Sequence, residues 1–234
     1  MSFAETQRIV GLAVLNNAAW CVSMWRACGL QVEKPQGMVV CIGQPPQFYP
    51  NAMTLDADGD PVLQAQIIAD LVKMAEGGQV SVKDSYARLD LAPLGFRKLF
   101  EAQWIHCPPG AKMPLQLDWR LVETAADLQD WESVWGGGSG VGSAVFPVAL
   151  LADTSVGVFG GWQAGKLVAG AILSPTAPVV GVSNVFGDYA EVTGLVASVF
   201  PGYGIVGYEH GVDLVTAMTA GFEPKGPLIV WCYL

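Results

Sequence analysis

Residues 207–232, GYEHGVDLVTAMTAGFEPKGPLIVWC, constrain the fold more than any other stretch of this chain. They read as a short strand, a turn, a helix of about three turns stopped by Gly221, and a strand rising to Trp231. A weaker echo lies at 81–105, SVKDSYARLDLAPLGFRKLFEAQWI. In both, a polar residue (Asp84, His210) stands eleven positions before a Gly-Phe pair (Gly95-Phe96, Gly221-Phe222). In both, a tryptophan follows the glycine, Trp104 after nine positions and Trp231 after ten. The repetition implies one kind of fold ending used twice.

Around these endings the chain divides at Pro108-Pro109-Gly110, giving expected units at 1–110 and 113–234. Ser2-x-x-Glu5 is a capping box for a long helix that runs to about Ala27. That helix carries Ile9, Leu12, Ala13, Trp20 and Met24 on one stripe, with Val14, Leu15 and Val22 off it. A helix apolar on most sides is buried or pairs with a partner, so a homodimer is one expectation. Strands follow at 38–42 and 51–55. A second helix is capped by Asp60 with Pro61 in its first position. Strand 80–83, helix 85–94 and strand 96–105 complete the first half. The second half reads as strand 115–122, a helix capped by Thr124, a helical turn at 147–152, and strands 155–162, 166–174 and 178–186. Helix 189–199, strand 204–208, helix 211–220 and strand 225–232 close it.

Composition narrows the function. With 52% hydrophobic and 14% charged residues among 234, the chain can build a large core. The formal charge of −9 comes without a basic stripe, which argues against nucleic acid and against an anionic membrane surface. Mean hydropathy is +0.39, but the longest uncharged window, 167–187, holds Pro175 and Pro178, which would break a spanning helix. No membrane span and no signal peptide are expected. Five cysteines without a CxxC pair read as reduced thiols of a cytoplasmic protein. The chain has two histidines, and the neighbours His106 and Cys107 point to opposite faces of an extended segment, so no metal site is expected. Gly136–Gly142 lacks the Lys-Ser/Thr that a phosphate loop needs after its last glycine and reads as a plain loop. Trp119, Trp131, Trp135 and Trp162 either line an apolar pocket or belong to the core, and helical spacing favours core for Trp131 and Trp135.

The element order of the second half, together with the helix–Gly-Phe–strand ending, resembles the GNAT-type N-acetyltransferase fold. The fold class expected is therefore α/β (α+β): a mixed, mostly antiparallel sheet flanked by helices, with a reduced first half of similar type. The resemblance covers about residues 113–234, and the closing third of the first half. It implies acetyl-coenzyme A as cofactor, in a V-shaped opening between strands 178–186 and 204–208. The pantetheine would pair with Val182, Ser183, Asn184 and Val185, and the pyrophosphate would sit at Gly187 and the helix start beyond it. The turn departs from the family pattern. Asn184-Val185-Phe186-Gly187-Asp188-Tyr189 has one glycine and no basic residue, and Asp188 reads better as a helix N-cap. The family's tyrosine four residues before the final Gly-Phe glycine is Ala217 here, and Leu91 in the first half. Tyr208 is the nearest phenol that could serve instead. Glu209 and His210 stand at the cleft mouth as candidate bases, or as an ordinary turn.

Three readings follow. One is an acetyl-coenzyme A-dependent N-acetyltransferase acting on a small amine, with full, weak or lost activity. The second is a non-catalytic descendant retained for binding or dimerisation. The third is a transferase with another acyl carrier.

Overall fold

The computed structural model describes residues 2–110, 115–137 and 145–234, so most of the glycine-rich loop at 136–142 lies outside the described residues. The strands are β1 (Gln31–Glu33), β2 (Met38–Ile42), β3 (Ala52–Thr54), β4 (Val80–Asp84), β5 (Arg97–Cys107), β6 (Asp118–Leu121), β7 (Gly157–Gln163), β8 (Lys166–Thr176), β9 (Val179–Phe186), β10 (Gly204–Glu209) and β11 (Glu223–Tyr233). The helices are α1 (Phe3–Ala27), α2 (Pro61–Met74), α3 (Ala125–Trp135), α4 (Tyr189–Val199) and α5 (Gly211–Thr219). Among the described residues the strands form one sheet in the order β1-β2-β3-β4-β11-β5-β10-β9-β8-β7-β6. The class is mixed α/β with a mostly antiparallel sheet.

Local chemistry sets the element ends. The Ser2 hydroxyl accepts the Glu5 N–H at 3.2 Å and starts α1. Asp60 accepts from Val62 N–H at 2.9 Å ahead of Pro61 and starts α2. Between β7 and β8, Ala164 and Gly165 both take positive φ, 49° and 77°. That handedness suits the right-handed twist of the paired strands.

Helices cover both faces. On one, α1 and α3 bring Met24, Trp25 and Trp131 against Val39, Met53 and Ile172, and Ala13 and Val14 of α1 lie over Trp104, Val206 and Leu228. On the other, α2 covers Met38, Val40 and Val82, while α4 and α5 cover Ile105, Leu173 and Ile205. The broadly apolar α1 thus buries Val14 fully within the chain, although Leu15 stays 55% exposed.

The centre of the sheet is arranged symmetrically. The last strand of each half crosses to the other: β5 pairs with β10 and β11, and β11 pairs with β4 and β5. The flanking pairs match, because β3 runs parallel to β4 and β9 parallel to β10. The β5–β11 ladder carries two bulges, at which the register skips Leu99 and Lys225. These positions are 126 apart, as are Phe96 and Phe222. Both Gly-Phe pairs also end their turn alike. Gly95 (φ 88°) and Gly221 (φ 93°) are left-handed. The following N–H groups reach back, Phe96 to the Leu91 carbonyl at 3.2 Å and Phe222 to the Ala217 carbonyl at 3.1 Å.

Two expectations need correction. Residues 85–91 are not helical, and only Ala92–Leu94 makes a short 3-10 turn. The Asp84 carboxylate takes the Leu89 N–H at 2.7 Å, and the Ser85 N–H goes to the Thr54 hydroxyl at 2.8 Å. These bonds hold the segment as a loop. Counting back from Gly-Phe aligned Asp84 with His210, but register aligns Asp84 with Glu209. Lys83 opposes Val230 as Tyr208 opposes Trp104, and Trp104 and Val230 are themselves 126 apart. The helix between β10 and β11 is one residue longer than the loop it matches. Strand β1 was missed, being three residues without an apolar run.

Candidate functional site

Strands β9 and β10 pair at only three positions, Val179↔Gly204, Val180↔Ile205 and Gly181↔Val206. Beyond them the strands part. Gly207 makes the last close approach, since a Cβ there would lie 3.0 Å from the Val182 carbonyl oxygen. On β9 the ladder to β8 slips between Ile172↔Ser183 and Gly170↔Phe186. Asn184 sits in that bulge with φ 54°, and the bulge bends β9 away from β10. On its far side β10 continues along β5 to Glu209↔Gln103. The result is a wedge whose β9 backbone edge is unpaired toward β10.

A cavity of about 460 Å³ opens from this wedge. Its wall includes every residue expected from sequence: Val182, Ser183, Asn184, Val185 and Gly187 on one side, Tyr208, Glu209 and His210 on the other. The structure also brings in residues that sequence reasoning missed, among them Asn17, Trp20, Tyr49, Lys83, Tyr189 and Asp213. Most come from α1 and from the first half, whose elements reach the cavity only because the halves exchange strands. A signal for Lys83 existed in the echo, since it precedes Asp84 as Tyr208 precedes Glu209.

The Tyr189 hydroxyl donates to the Glu209 carboxylate. Burial pushes the Glu209 carboxyl up to about 7, nearby Asp213 adds to the rise, and the Tyr189 bond opposes both. The same burial and the neighbouring carboxylate push the Tyr189 phenol well up. Tyr208 is held edge-on by Trp104, ring centroids 5.7 Å apart. Over its ring, 4.2 Å from the centroid, sits the Lys83 Nζ, which donates to Asn17 Oδ1 at 2.7 Å. His210 stacks on Phe100 at 4.5 Å and is exposed at the mouth. The Tyr49 hydroxyl donates to Asn184 Oδ1 at 3.4 Å, and burial raises that phenol far above its usual range.

Of the tryptophans weighed as pocket residues, only Trp135 lines the cavity. Trp131 is fully buried and donates to the Phe159 carbonyl at 2.9 Å. Trp119 donates to Glu191 at 3.1 Å. Ala217 is buried outside the cavity lining, so no phenol occupies that family position.

For an acyl thioester carrier the two ends of the wedge differ. The unpaired β9 edge from Ser183 to Phe186 fits an extended arm that needs backbone partners. The start of α4 does not fit a diphosphate. The Asp188 carboxylate already accepts the Ala190 N–H at 2.8 Å, and Lys83 is the sole lysine or arginine lining the cavity among the described residues. No group of three or more His, Cys, Asp or Glu is placed to hold a metal among those residues.

A mixed sheet whose two parallel central strands splay into a ligand-sized wedge defines the GNAT architecture. Solved structures agree. A GCN5-related N-acetyltransferase from Kribbella flavida matches with a TM-score of 0.65 at 14% identity, over 94% of this chain and 95% of that one. A functionally unknown conserved protein from Staphylococcus epidermidis matches at 0.64 and 10% identity, over 86% and 92%. A GCN5-related N-acetyltransferase from Sphaerobacter thermophilus matches at 0.51 and 9%, over 86% and 81%. The protein therefore has the GNAT fold, and the likeness runs through the first half as well as 113–234. No protein-family model and no curated protein matches the sequence.

Proposed function

We propose that this protein transfers an acyl group from a thioester to a small amine, with Glu209 as the base. The observation that carries the reading is a part-buried carboxylate at the opening of the β9–β10 wedge, bonded to the Tyr189 hydroxyl and pushed up to about 7 by desolvation. A base works best with its pKa near the working pH. At neutral pH an alkylammonium must lose a proton before its nitrogen can attack, and Glu209 is placed to take it. Tyr189 orients the Glu209 carboxylate through its hydrogen bond. The thioester supplies the acyl carbon and a thiolate leaving group; the N–C bond forms as C–S breaks. Tyr208, at the end of β10, is the phenol that gives a proton to the departing sulfur and regains one from the nitrogen, which sheds its second proton as the amide forms. Its ring is held between Trp104 and Lys83.

Acetyl-coenzyme A is the donor that the fold suggests, held through its pantetheine arm on Ser183, Asn184 and Val185 rather than through its diphosphate. Free thiols at all five cysteines support a cytoplasmic setting. The symmetric central ladder supports reading the chain as two related units, with the first reduced. The alternative reading, a binding module without catalysis, is supported by Ala217 and Asp188.

Calorimetric titration and thermal shift with acetyl-coenzyme A separate the two readings. Ligand at a hundred times its Kd adds about 2.7 kcal/mol of stability. With binding established, thiol release in the presence of a panel of small amines reads turnover. Glu209→Gln and Tyr208→Phe should lower the rate and leave donor affinity in place. Absence of any shift at millimolar donor favours the binding module, and unchanged rates in both variants remove these residues from the chemistry.

A further inference from the structure

The proton steps above leave unexplained why a lysine is buried at the floor of this cavity. Lys83 stands on β4, near the middle of the sheet, and is 4% exposed. An ammonium has three donors. One goes to Asn17 Oδ1 at 2.7 Å, and the group rests on the Tyr208 ring. No carboxylate lies within 4.0 Å of it among the described residues, whose five ion pairs involve other cations. The two carboxylates lining the cavity, Glu209 and Asp213, are therefore outside ion-pair distance. Glu209 is instead bonded to Tyr189. Buried cations are normally paired, because removing such a charge from water is costly. Here Lys83 lines a cavity of about 460 Å³, large enough for a small molecule beside an acyl arm.

We propose that Lys83 anchors a carboxylate of the acceptor, so that the acceptor is an amino acid or a similarly small molecule bearing both an amine and a carboxylate. This rests on the acyl-transfer reading for the role of the amine, not for the anion. Asn17 Oδ1 is taken by Lys83, which leaves the Asn17 Nδ2 group as a second donor on the same wall. One cation and one amide suit a monoanion better than a phosphate dianion. Glu209 and Lys83 then divide the two ends of the acceptor: the carboxylate is held at β4, and the ammonium gives its proton at the end of β10. Between these strands lie β11 and β5, so their backbones are about 14 Å apart by ordinary strand spacing. The Lys83 and Tyr208 side chains meet across that span. Trp20, Tyr49 and Trp135 offer an aromatic wall for the remainder of the molecule.

The test reads binding without any thioester. Proteinogenic amino acids, β-alanine and γ-aminobutyrate are titrated calorimetrically, each beside its own carboxamide. The carboxamide keeps the amine and loses the charge. At least one acid should bind tenfold or more tightly than its amide, and that ratio should fall to near one in Lys83→Met. The wild-type ratio alone decides the matter if the variant does not fold. Failure of every acid to bind, equal binding of acid and amide, or a ratio that survives in Lys83→Met each overturns the proposal. So does displacement of a bound acid by inorganic phosphate at lower concentration. Acid discrimination without acyl transfer would sink the transferase reading and leave the anion site standing. Acyl transfer to plain amines with no preference for acids would do the reverse.

Discussion

Replacing Glu209 with glutamine should change how stability depends on pH, whatever the protein does. In the folded chain burial and Asp213 raise this carboxyl from 4.5 to about 7. The folded state therefore binds a proton that the unfolded state has released between those values. Where the folded state binds more protons, unfolding free energy falls as pH rises. The contribution is fully present below about 4.5 and is lost as pH passes through 7. A shift of this size corresponds to about 3 kcal/mol at 1.36 kcal/mol per unit. Glutamine keeps the shape and an acceptor for the Tyr189 hydroxyl but does not ionise. Urea unfolding of both proteins, followed by tryptophan fluorescence at pH 4 and pH 8, isolates the term as a difference of differences. The glutamine variant should match wild type to within about 1 kcal/mol at pH 4 and exceed it by about 3 kcal/mol at pH 8. A gap that stays constant between the two pH values would show that Glu209 titrates as an ordinary carboxyl, and the base assigned to it would lose its physical ground.

Tyr189→Phe removes the hydrogen bond that favours ionised Glu209. A bond to a charged group contributes about 1.5–3 kcal/mol, so the acid limb of kcat/KM against pH should move up by about 1–2 units; an unmoved limb would dissociate the pair. S-acetylpantetheine should bind within tenfold of acetyl-coenzyme A in calorimetry, because the Asp188-capped start of α4 adds little for a diphosphate. A hundredfold preference for the whole coenzyme would show that the helix start recognises it after all. Trp104→Ala should cost about 3–5 kcal/mol in urea unfolding, since Trp104 is fully buried and gives its N–H to the Ser85 carbonyl at 2.8 Å; a loss under 1 kcal/mol would contradict a rigid central ladder.

Local signals carried the elements they belong to. Ser2, Asp60, Thr124 and Asp188 cap helices by bonds within three residues, and Gly95 and Gly221 end turns through a backbone geometry that glycine tolerates best. Such interactions are written in short stretches of chain and can be read there. The 85–94 segment was misread because its decisive bonds come from Thr54 and Asp84, and a helical apolar spacing says nothing of them. Val182–Val185, Gly187, Tyr208, Glu209 and His210 line one cavity because they flank one gap between neighbouring strands, which is how the sequence grouped them. Asn17 and Tyr49 could not be grouped with them, since nothing near them in sequence says that their segments border that wedge; the echo pairs Lys83 with Tyr208 but does not say that β4 reaches the cavity.

Sequence by itself determined most of the element order and the two Gly-Phe endings, while the mixed sheet and the parting of strands 178–186 and 204–208 were expectations that came with the family resemblance. The elements and their endings depend on propensity, capping or apolar period over a few turns of chain. Tertiary structure alone decided that β5 and β11 trade places between the halves. It alone closed α1 over the centre of the sheet and brought a buried lysine and a raised carboxyl to the lining of one cavity. Those outcomes depend on contacts between residues from about sixty to more than two hundred positions apart, where burial and desolvation act and short-range pattern carries no information.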